Sequence, residues 1–345
     1  MTAKVAINGF GRIGRLIVRI WAERLRRGED VPFDIVAVNS RSATKIKGHT
    51  LKYDTVYHRF NCETDESGNE IRLPDIGKTI KCLIVNSPSE LPWKDMGVDI
   101  AVEATGKFTK REDCKKHLDA GAKKVFISAP GKGDGPDLTV VWGVNHKLYD
   151  PKAHNIVSNA SCTTNCLAPM VKVLNENCGI EAGLMTTVHS YTSSQNVLDN
   201  SHKDLRRARA CACNIIPTST GAAKAVGLVI PEVKGKLSGY ALRVPTPSVS
   251  LVDLTCWVKN EVTADSINAM FKNAADGAMK GIIKYETDPT VSSDHEGTKF
   301  STIFDGEFTQ VMGGHLVKTI AWYDNEWGYT EALVDVLAHM VKTTF

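Results

Sequence analysis

A glycine-rich turn near the N-terminus constrains the fold of this chain more than any other feature. Residues 9–14 read Gly-Phe-Gly-Arg-Ile-Gly and directly follow the apolar run of residues 5–7. Apolar residues then recur at helical spacing over residues 11–27, and Gly28 is a plausible stop signal. In such a turn the first glycine permits a tight bend, the second lets backbone approach a pyrophosphate, and the third lets helix and strand pack closely. The segment therefore predicts a strand, a nucleotide-binding turn and a helix whose first N–H groups face phosphates.

Strand and helix signals alternate through the first third of the chain. Apolar runs at residues 35–38, 82–85, 98–102 and 124–128 are typical of buried strands, and residues 110–120 have a helical pattern. This alternation predicts an α/β fold with a mostly parallel sheet and helices on both faces.

The pattern changes after about residue 160. We predict a helix from residue 161 or 162 to about 177, which Pro169 is expected to kink or shorten. Longer strand-like runs at residues 184–188, 237–244, 250–258 and 317–323 predict a larger antiparallel or mixed sheet, and residues 330–341 a final helix. The aperiodic polar stretch of residues 193–215 is longer than an ordinary connecting loop, which indicates a functional role.

Composition narrows the class of protein. A length of 345 residues favours two domains, and 42 basic against 39 acidic residues leave a net charge of only +3. Such a balance argues against a nucleic-acid protein held by a broad basic field. No apolar stretch approaches the roughly 18 residues of a membrane span, and the N-terminus lacks a signal-peptide core. Nine scattered cysteines suggest no disulfide framework, so we expect a reducing, cytoplasmic environment.

The segment of residues 161–165, Ser-Cys-Thr-Thr-Asn, is the first candidate for chemistry. A cysteine at a helix start feels the positive end of the helix dipole, which favours the thiolate of Cys162. The hydroxyls of Ser161 and Thr163 could hold an anion. The alternative is a buried structural cysteine. A metal site with Cys166 is weaker still, because no second ligand pair lies at useful spacing, and we expect no metal.

Three further residues are candidates. His189 ends a strand and could activate a thiol that faces it, although a lone histidine there is more often a core residue. Arg207 lies in the basic run of residues 202–209, which is either a solvated face or a phosphate site. Arg243 ends a strand and is followed by two prolines. An arginine held in this way is better suited to anion recognition than to a solvated face.

Four stretches together resemble the glyceraldehyde-3-phosphate dehydrogenase family. They are AINGFGRIGR at residues 6–15, ASCTTNCLAP at 160–169, TGAAKA at 220–225 and WYDNEWGY at 322–329. The resemblance covers nearly the whole chain, and the cysteine motif is its most specific part. It implies a Rossmann-type parallel-sheet domain of residues 1–161 and 326–345. An α+β catalytic domain of residues 162–325, with a large mixed or antiparallel sheet, would lie between these segments.

The resemblance also implies roles for single residues. Cys162 would attack the aldehyde of glyceraldehyde 3-phosphate. His189 would lower the thiol pKa and take the hydroxyl proton as hydride moves to a nicotinamide, and inorganic phosphate would then cleave the thioester. Thr192 and Arg243 would hold the substrate phosphate. The attacking phosphate would be held by Ser161, Thr163, Arg207, Thr220 and Gly221. Matches to dinucleotide contacts are Gly9, Gly11, Arg12, Ile13, Gly14 and Ser128, and Asn325 would orient the nicotinamide amide. A homotetramer is implied, with the 193–215 loop near a subunit interface and the neighbouring cofactor.

The cofactor cannot be assigned as NAD by the family pattern alone, because the sequence departs from it. NAD-specific sites place an acid after the second strand to bind the adenosine ribose. The matching residue here is Ser40, followed by Arg41 and Ser42, while Asp34 begins the strand rather than ending it. A second departure is Asn200-Ser201, where many NAD-using relatives carry Leu-Pro. A cation and two hydroxyls suit a 2′-phosphate, so we predict NADP use, alone or alongside NAD.

Three alternatives remain at this point. The chain could be a sister enzyme that acts on erythrose 4-phosphate, or a non-phosphorylating aldehyde dehydrogenase of the same fold. A more distant alternative is a non-enzymatic role in which the dinucleotide groove binds RNA. Intact Cys162 and His189 favour an enzyme, and the small net charge gives an RNA role little support.

Overall fold

The chain forms two compact units in this computed structural model, which describes residues 2–345. The first unit runs from the N-terminus to Val140 and includes His146–Ala160 and Leu333–Phe345. The second contains Val141–Asn145 and Ser161–Ala332. Relative to the predicted domains, residues 141–145, 161 and 326–332 group with the second unit. One reason is local, since Asp324 accepts hydrogen bonds from the N–H groups of Glu326 and Trp327. The domain division itself stays a prediction.

A nine-stranded sheet forms the first unit. Its strands are β1 (Ala3–Asn8), β2 (Phe33–Asn39), β5 (Asp65–Ser67), β6 (Glu70–Leu73), β7 (Lys78–Leu83), β8 (Ile100–Glu103), β9 (Lys124–Ile127), β10 (Leu138–Thr139) and β11 (Ile156–Ser158). β3 (Tyr53–Asp54) and β4 (His58–Arg59) form a separate two-stranded ribbon. The order is β10-β11-β9-β8-β1-β2-β7-β6-β5. Only the β5–β6 and β6–β7 pairs are antiparallel. The predicted mostly parallel sheet is therefore confirmed.

Helices cover both faces of this sheet. The helices of the first unit are α1 (Arg12–Arg26), α2 (Thr44–Lys52), α3 (Trp93–Met96) and α4 (Arg111–Asp119). Ala6 packs with Trp93 of α3 in one apolar cluster. The next residue along β1, Ile7, contacts the opposite layer, where Gly14 of α1 lies against it. Because successive strand residues point to opposite faces, α1 and α3 lie on different sides of β1.

A mixed seven-stranded sheet forms the second unit. Its strands are β12 (Ile180–Ser190), β13 (Ile216–Ser219), β14 (Leu237–Val244), β15 (Ser250–Val258), β16 (Ile283–Glu286), β17 (Thr302–Met312) and β18 (Leu316–Tyr323). The order is β13-β14-β12-β15-β18-β17-β16. The β12–β14 and β16–β17 pairs are parallel, and the remaining pairs are antiparallel. The sheet is thus mixed, which is one of the two predicted arrangements.

The remaining helices are α5 (Cys162–Cys178), α6 (Ala222–Val229), α7 (Ala264–Asp276) and α8 (Trp327–Thr344). Pro169 lies inside α5 without shortening it, so that part of the prediction is wrong. Pro169 has no N–H to donate to the Asn165 carbonyl one turn earlier. Thr302 donates a hydrogen bond to the next carbonyl, that of Cys166, at 3.0 Å, which ties this turn of α5 to β17. Burial of the helix supplies the remaining stabilisation. No helix within residues 2–345 is both long and apolar enough to span a bilayer.

Candidate active site

Cys162 and His189 face each other in the second unit. Ser161 is the N-cap of α5, and its hydroxyl accepts a hydrogen bond from the Thr164 N–H at 3.1 Å. This cap fixes the helix start and makes Cys162 the first helical residue. His189 is the penultimate residue of β12 and is only 3% exposed. Its Nε2 lies 3.5 Å from the Cys162 sulfur. The structure therefore brings together the two residues predicted from the family pattern to be the catalytic pair.

Arg243 joins this pair through strand register. β12 and β14 are parallel neighbours in which His189 is the register partner of Arg243. Arg243 Nη1 lies 2.8 Å from His189 Nδ1 and donates to the Ser190 carbonyl at 2.9 Å. The buried Nε of Arg243 has no hydrogen-bond partner among the described residues. A buried guanidinium with a vacant donor is suited to an anionic ligand.

His189 Nδ1 has two polar neighbours that require opposite protonation states. Nδ1 is 2.8 Å from the Ser190 carbonyl oxygen, which can only accept, and equally close to Nη1 of Arg243, which can only donate. The tautomer in which Nδ1 carries the proton and donates to Ser190 is the one that leaves Nε2 as an acceptor toward the sulfur. Burial, reinforced by the charge of Arg243, lowers the pKa of His189 to about 3. The imidazole is therefore neutral at physiological pH.

The pKa of the Cys162 thiol is subject to effects of opposite sign. Burial raises the pKa of the Cys162 thiol, whereas the positive charge of Arg243 lowers it. A hydrogen bond from the backbone of Thr163 at the helix start acts in the same direction as Arg243. The lowering of the thiol pKa by His189 stays a prediction. In the structure, Arg243 is the neighbouring cation that lowers this pKa.

A buried hydroxyl chain supports the helix start. Thr163 and Thr187 each lie 2.8 Å, hydroxyl to hydroxyl, from Tyr323. The Tyr323 ring also meets the His189 ring edge-on, with centroids 6.0 Å apart. Tyr323 was not among the predicted site residues, although it lies in the stretch WYDNEWGY. Its position in that motif was the only signal that could have identified it.

A second group of anion donors is built around β13 and α6. Arg207 is half-buried, and its Nε donates to the Thr218 hydroxyl at 2.9 Å. Its positive charge lowers the pKa of both His189 and Arg243, so it acts on the catalytic pair electrostatically. Gly221 is the N-cap of α6, preceded by Thr220, whose hydroxyl accepts from the Ala222 N–H at 3.2 Å. Helix N–H groups and a nearby guanidinium suit phosphate.

Thr192 and Asn325 are held by their neighbours. The Thr192 N–H donates to Gln195 Oε1 at 3.2 Å, and the buried Nε2 of Gln195 has no partner within residues 2–345. Asn325 is buried and its Oδ1 accepts from the Ser250 hydroxyl at 3.1 Å. The same Ser250 oxygen accepts from the N–H of Ser190, adjacent to His189. No contact of Thr192 with Cys162 or His189 is present in residues 2–345, whereas Asn325 is linked to the end of β12.

The glycine turn of the first unit has the expected geometry. Gly9 has φ +108°, and a Cβ there would lie 2.5 Å from the backbone of Ala104. A Cβ on Gly14 would lie 2.1 Å from the Gly9 carbonyl oxygen, so α1 packs against the turn only with glycine. Gly11 is exposed, and a Cβ there would meet nothing within 4 Å. Open space at the helix start matches the room that a pyrophosphate needs.

Three other predicted dinucleotide residues are also placed in the first unit. Arg12 forms an ion pair with Asp54 and lies over the Tyr57 ring at 5.5 Å. Ile13 is half-buried in the first turn of α1. Ser128 follows β9, and its N–H donates to the Glu103 carbonyl at 3.0 Å. All three lie near carboxyl ends of parallel strands or the start of α1, where the fold binds nucleotides.

A cleft of about 420 Å³ lies at the carboxyl edge of the parallel sheet. Residues that line it include Gly9, Gly11, Asn39, Ser40, Arg41, Thr105 and Lys107. Arg41 and Lys107 are exposed, and neither has an ion-pair partner in the described part of the chain. Asp34 lies at the other end of β2, paired with Lys78, so it is not the ribose-binding acid. The glycine turn and this cleft together fit a dinucleotide.

Ser201 belongs to a different unit from the cleft. It is exposed in the 193–215 loop, where its N–H donates to Asn200 Oδ1 at 2.7 Å. No cluster of three or more metal-binding side chains occurs within residues 2–345.

Comparisons with known proteins are consistent with this geometry. The family model described as the NAD-binding domain of glyceraldehyde 3-phosphate dehydrogenase matches residues 3–111, and the model of the C-terminal domain of the same enzyme matches residues 161–325. Glyceraldehyde-3-phosphate dehydrogenase of Geobacillus stearothermophilus is 53% identical over 99% of both chains. The Streptomyces coelicolor enzyme is 54% identical over 97% of this chain and 98% of its own. Enzyme 1 of Bacillus subtilis is 53% identical over 99% of both chains. The chain belongs to the glyceraldehyde-3-phosphate dehydrogenase family.

Proposed function

We propose that this chain oxidises glyceraldehyde 3-phosphate to 1,3-bisphosphoglycerate, using inorganic phosphate and a nicotinamide dinucleotide. The observation that carries the proposal is the 3.5 Å approach of Cys162 Sγ and His189 Nε2 beside Arg243. A nucleophile, a proton acceptor and a vacant cationic donor are the groups that covalent oxidation of a phosphorylated aldehyde requires.

The residues of the chain perform the covalent steps. The Cys162 sulfur bonds to the aldehyde carbon, and its proton passes through His189 Nε2 to the carbonyl oxygen, giving a hemithioacetal. His189 then accepts the hydroxyl proton as the carbon loses hydride, which leaves a thioester on Cys162. A bound nicotinamide supplies the hydride acceptor. A phosphate oxygen attacks the thioester carbon, the C–S bond breaks, and His189 returns a proton to the sulfur.

Arg243 couples substrate binding to this proton transfer. Its charge is one cause of the lowered pKa of His189. A dianionic phosphate beside Arg243 offsets that charge, so substrate binding raises the basicity of His189 when a base is needed. We assign the substrate phosphate to Arg243 and Thr192. We assign the attacking phosphate to Ser161, Thr163, Arg207, Thr220 and Gly221.

Turnover with and without inorganic phosphate tests the proposed reaction. We expect sustained reduction of the dinucleotide only when phosphate is present, with an acyl phosphate as product. Sustained turnover without phosphate, with a carboxylate as product, would identify a non-phosphorylating enzyme instead. A higher kcat/KM for erythrose 4-phosphate than for glyceraldehyde 3-phosphate would identify the sister activity.

We propose that NADP is used, alone or alongside NAD. Support comes from the cleft, in which Ser40 and Arg41 stand where an acid would repel a 2′-phosphate. Arg41→Ala is therefore expected to lower kcat/KM for NADP about tenfold, because a charge-assisted hydrogen bond is lost. The value for NAD should change little. Steady-state kinetics with both dinucleotides measure this ratio.

Lys45→Ala is the control for Arg41→Ala, because it removes an exposed charge from α2 that is not part of the cleft lining. It should leave both values unchanged. A wild-type preference for NAD above a hundredfold that Arg41→Ala does not alter would rule out NADP use.

We also propose a homo-oligomer, with a tetramer as the expected form. Support comes from the outer face of the mixed sheet, where Leu184, Tyr240 and Trp257 are 68%, 53% and 48% exposed. Strand register places Leu184 beside Thr255 and Trp257 beside Leu316, and the Asp253–Lys318 ion pair lies within the same face. A sheet face that exposes three large apolar side chains is typical of a surface covered by another subunit.

Leu184→Asp should shift the assembly toward smaller species, since a charge at the centre of an apolar interface is poorly solvated. Light scattering coupled to size-exclusion chromatography measures the mass. Leu148→Asp, at a similarly exposed leucine of the first unit, is the matched control and should leave the mass unchanged. An unaltered mass for Leu184→Asp would argue against this face as an interface.

A further inference from the structure

Lys47 is a buried lysine that the proposed reaction does not use. It lies on α2, where Lys47, Gly48 and Leu51 form the buried stripe while Lys45 and Ile46 are exposed. Lys47 is only 1% exposed, and burial lowers the pKa of its ammonium group. A buried lysine is unfavourable unless its donors are satisfied, so its partners reveal its role.

The partners of Lys47 are backbone carbonyls of one loop. Its Nζ donates to the Ser40 carbonyl at 3.2 Å and to the Ser42 carbonyl. No carboxylate lies within ion-pair distance of Lys47 in residues 2–345, although Glu66 packs against the adjacent Gly48. Lys47 therefore ties down residues 40–42 and leaves its positive charge unpaired by any acid.

Residues 40–42 form one wall of the cleft at the carboxyl edge of the sheet, where Ser40 and Arg41 are lining residues. Lys47 is not a lining residue. Its ammonium group therefore occupies the Ser40 and Ser42 carbonyl oxygens from outside the cleft lining. Because these two carbonyl oxygens are already hydrogen-bonded, they repel an anion in the cleft less. The Lys47 ammonium group also adds a buried positive charge behind the loop.

A second cation lies across the cleft. Lys107 follows β8, and its N–H donates to the Thr105 hydroxyl at 3.1 Å. β8 and β2 flank β1 on either side, so Lys107 and Arg41 rise from strands about 10 Å apart. Both side chains are long enough to converge on one group between them.

Glu103, the acid that directly precedes the cleft-lining residues 104 and 105, already has hydrogen-bond partners for its carboxylate oxygens. Glu103, at the end of β8, accepts from Asn8 Nδ2 at 2.6 Å, from the Thr105 N–H at 2.8 Å and from the Thr105 hydroxyl. It also lies 3.1 Å from His117 Nε2. Its oxygens are thus occupied below the cleft. The unpaired charges that line the cleft are Arg41 and Lys107.

We propose that Lys47 is a positioning residue for an adenosine 2′-phosphate, acting through residues 40–42 while Arg41 and Lys107 contact the phosphate directly. The inference rests on the proposed use of NADP and adds two residues that determine that preference. Lys47 acts by fixing the loop and by a charge that bulk salt screens poorly. Arg41 and Lys107 act as hydrogen-bonding cations.

Calorimetric binding of two adenosine ligands tests the inference without any turnover. The ligands are adenosine 2′,5′-bisphosphate and adenosine 5′-monophosphate, which differ only in the 2′-phosphate. We expect the wild type to bind the bisphosphate more tightly. Lys107→Met, which removes a direct charged hydrogen bond, should weaken that binding about tenfold. Lys47→Met, which releases the loop and removes a buried charge behind it, should weaken it about three- to tenfold. Both variants should change binding of the monophosphate less than about twofold.

Lys45→Met is the matched control, since it removes the same charge from the exposed side of α2 and should alter neither affinity. Lys47→Gln serves as a second variant if Lys47→Met does not fold, because its amide can still bond one carbonyl. An equal loss for both ligands would make Lys47 merely structural, and unchanged affinities would make it irrelevant, so either result overturns the inference. A wild type that does not distinguish the ligands would instead contradict NADP use itself.

Discussion

Replacing Cys162 by Ser is expected to lower kcat by several orders of magnitude, with dinucleotide binding unchanged. A serine hydroxyl at this position would be a far weaker nucleophile at neutral pH, because it ionises much less readily than a thiol. The sulfur is also the atom that carries the thioester, so no later step can proceed. Pre-steady-state and steady-state rates of dinucleotide reduction measure the loss.

Cys166→Ser is the control for this substitution, since it makes the same chemical change one helical turn further along α5. Cys166 is fully buried, and burial raises the pKa of its thiol well above the usual range. Activity per folded molecule should remain close to that of the wild type. Near-normal turnover by Cys162→Ser would refute the mechanism proposed above.

Arg243→Leu should raise the KM for glyceraldehyde 3-phosphate about ten- to a hundredfold. The lost interaction is a desolvated charged hydrogen bond, which contributes about 1.5–3 kcal/mol, and each 1.4 kcal/mol is a factor of ten. Steady-state kinetics at saturating phosphate and dinucleotide isolate this parameter. An unchanged KM for glyceraldehyde 3-phosphate would contradict the assignment of Arg243 to the substrate phosphate.

Arg207→Leu is the comparison for Arg243→Leu, because it removes a guanidinium from the other anion group. We expect it to act mainly on the KM for inorganic phosphate, with a small effect on the aldehyde. Equal effects of both variants on both KM values would mean that the two anion sites are not separate.

Arg243→Leu should also slow alkylation of Cys162 at neutral pH. Arg243 stabilises the thiolate, so its removal raises the pKa of Cys162 and decreases the thiolate fraction at a fixed pH. The alkylation rate should then rise with pH through a higher midpoint than in the wild type. Iodoacetamide is a suitable reagent because it carries no charge for Arg243 to attract.

Local sequence patterns predicted the elements of this fold well. Runs of alternating or continuous apolar residues gave β14 and β15 with the bounds that the structure has, residues 237–244 and 250–258. The glycine turn was identifiable because each glycine answers a local steric need, and the structure places Gly9 and Gly14 against backbone atoms. α2, α3, α6 and α7 were not predicted. The hydrophobic pattern of α2 is weak, since its buried stripe includes a lysine.

The site itself depended on contacts that no local pattern contains. Cys162 and His189 are 27 residues apart, and His189 and Arg243 are 54 apart. They meet because β14 pairs in parallel with β12 at one register, and because α5 begins beside the end of β12. Strand order and register are set by burial of whole sheet faces rather than by neighbouring residues. The family resemblance supplied the roles of these residues, since their spacing in the chain alone could not.

The sequence by itself determined the class of fold, the nucleotide-binding turn and the reactive-cysteine motif, because these depend on residue periods and on single-residue sterics. Only the tertiary structure decided the state of the residues in the site. It made His189 neutral, made Arg243 the cation that acts on the sulfur, and linked Tyr323 to Thr163. It also buried Lys47 behind residues 40–42. Burial and long-range pairing fix charge and orientation, and both are properties of the folded chain.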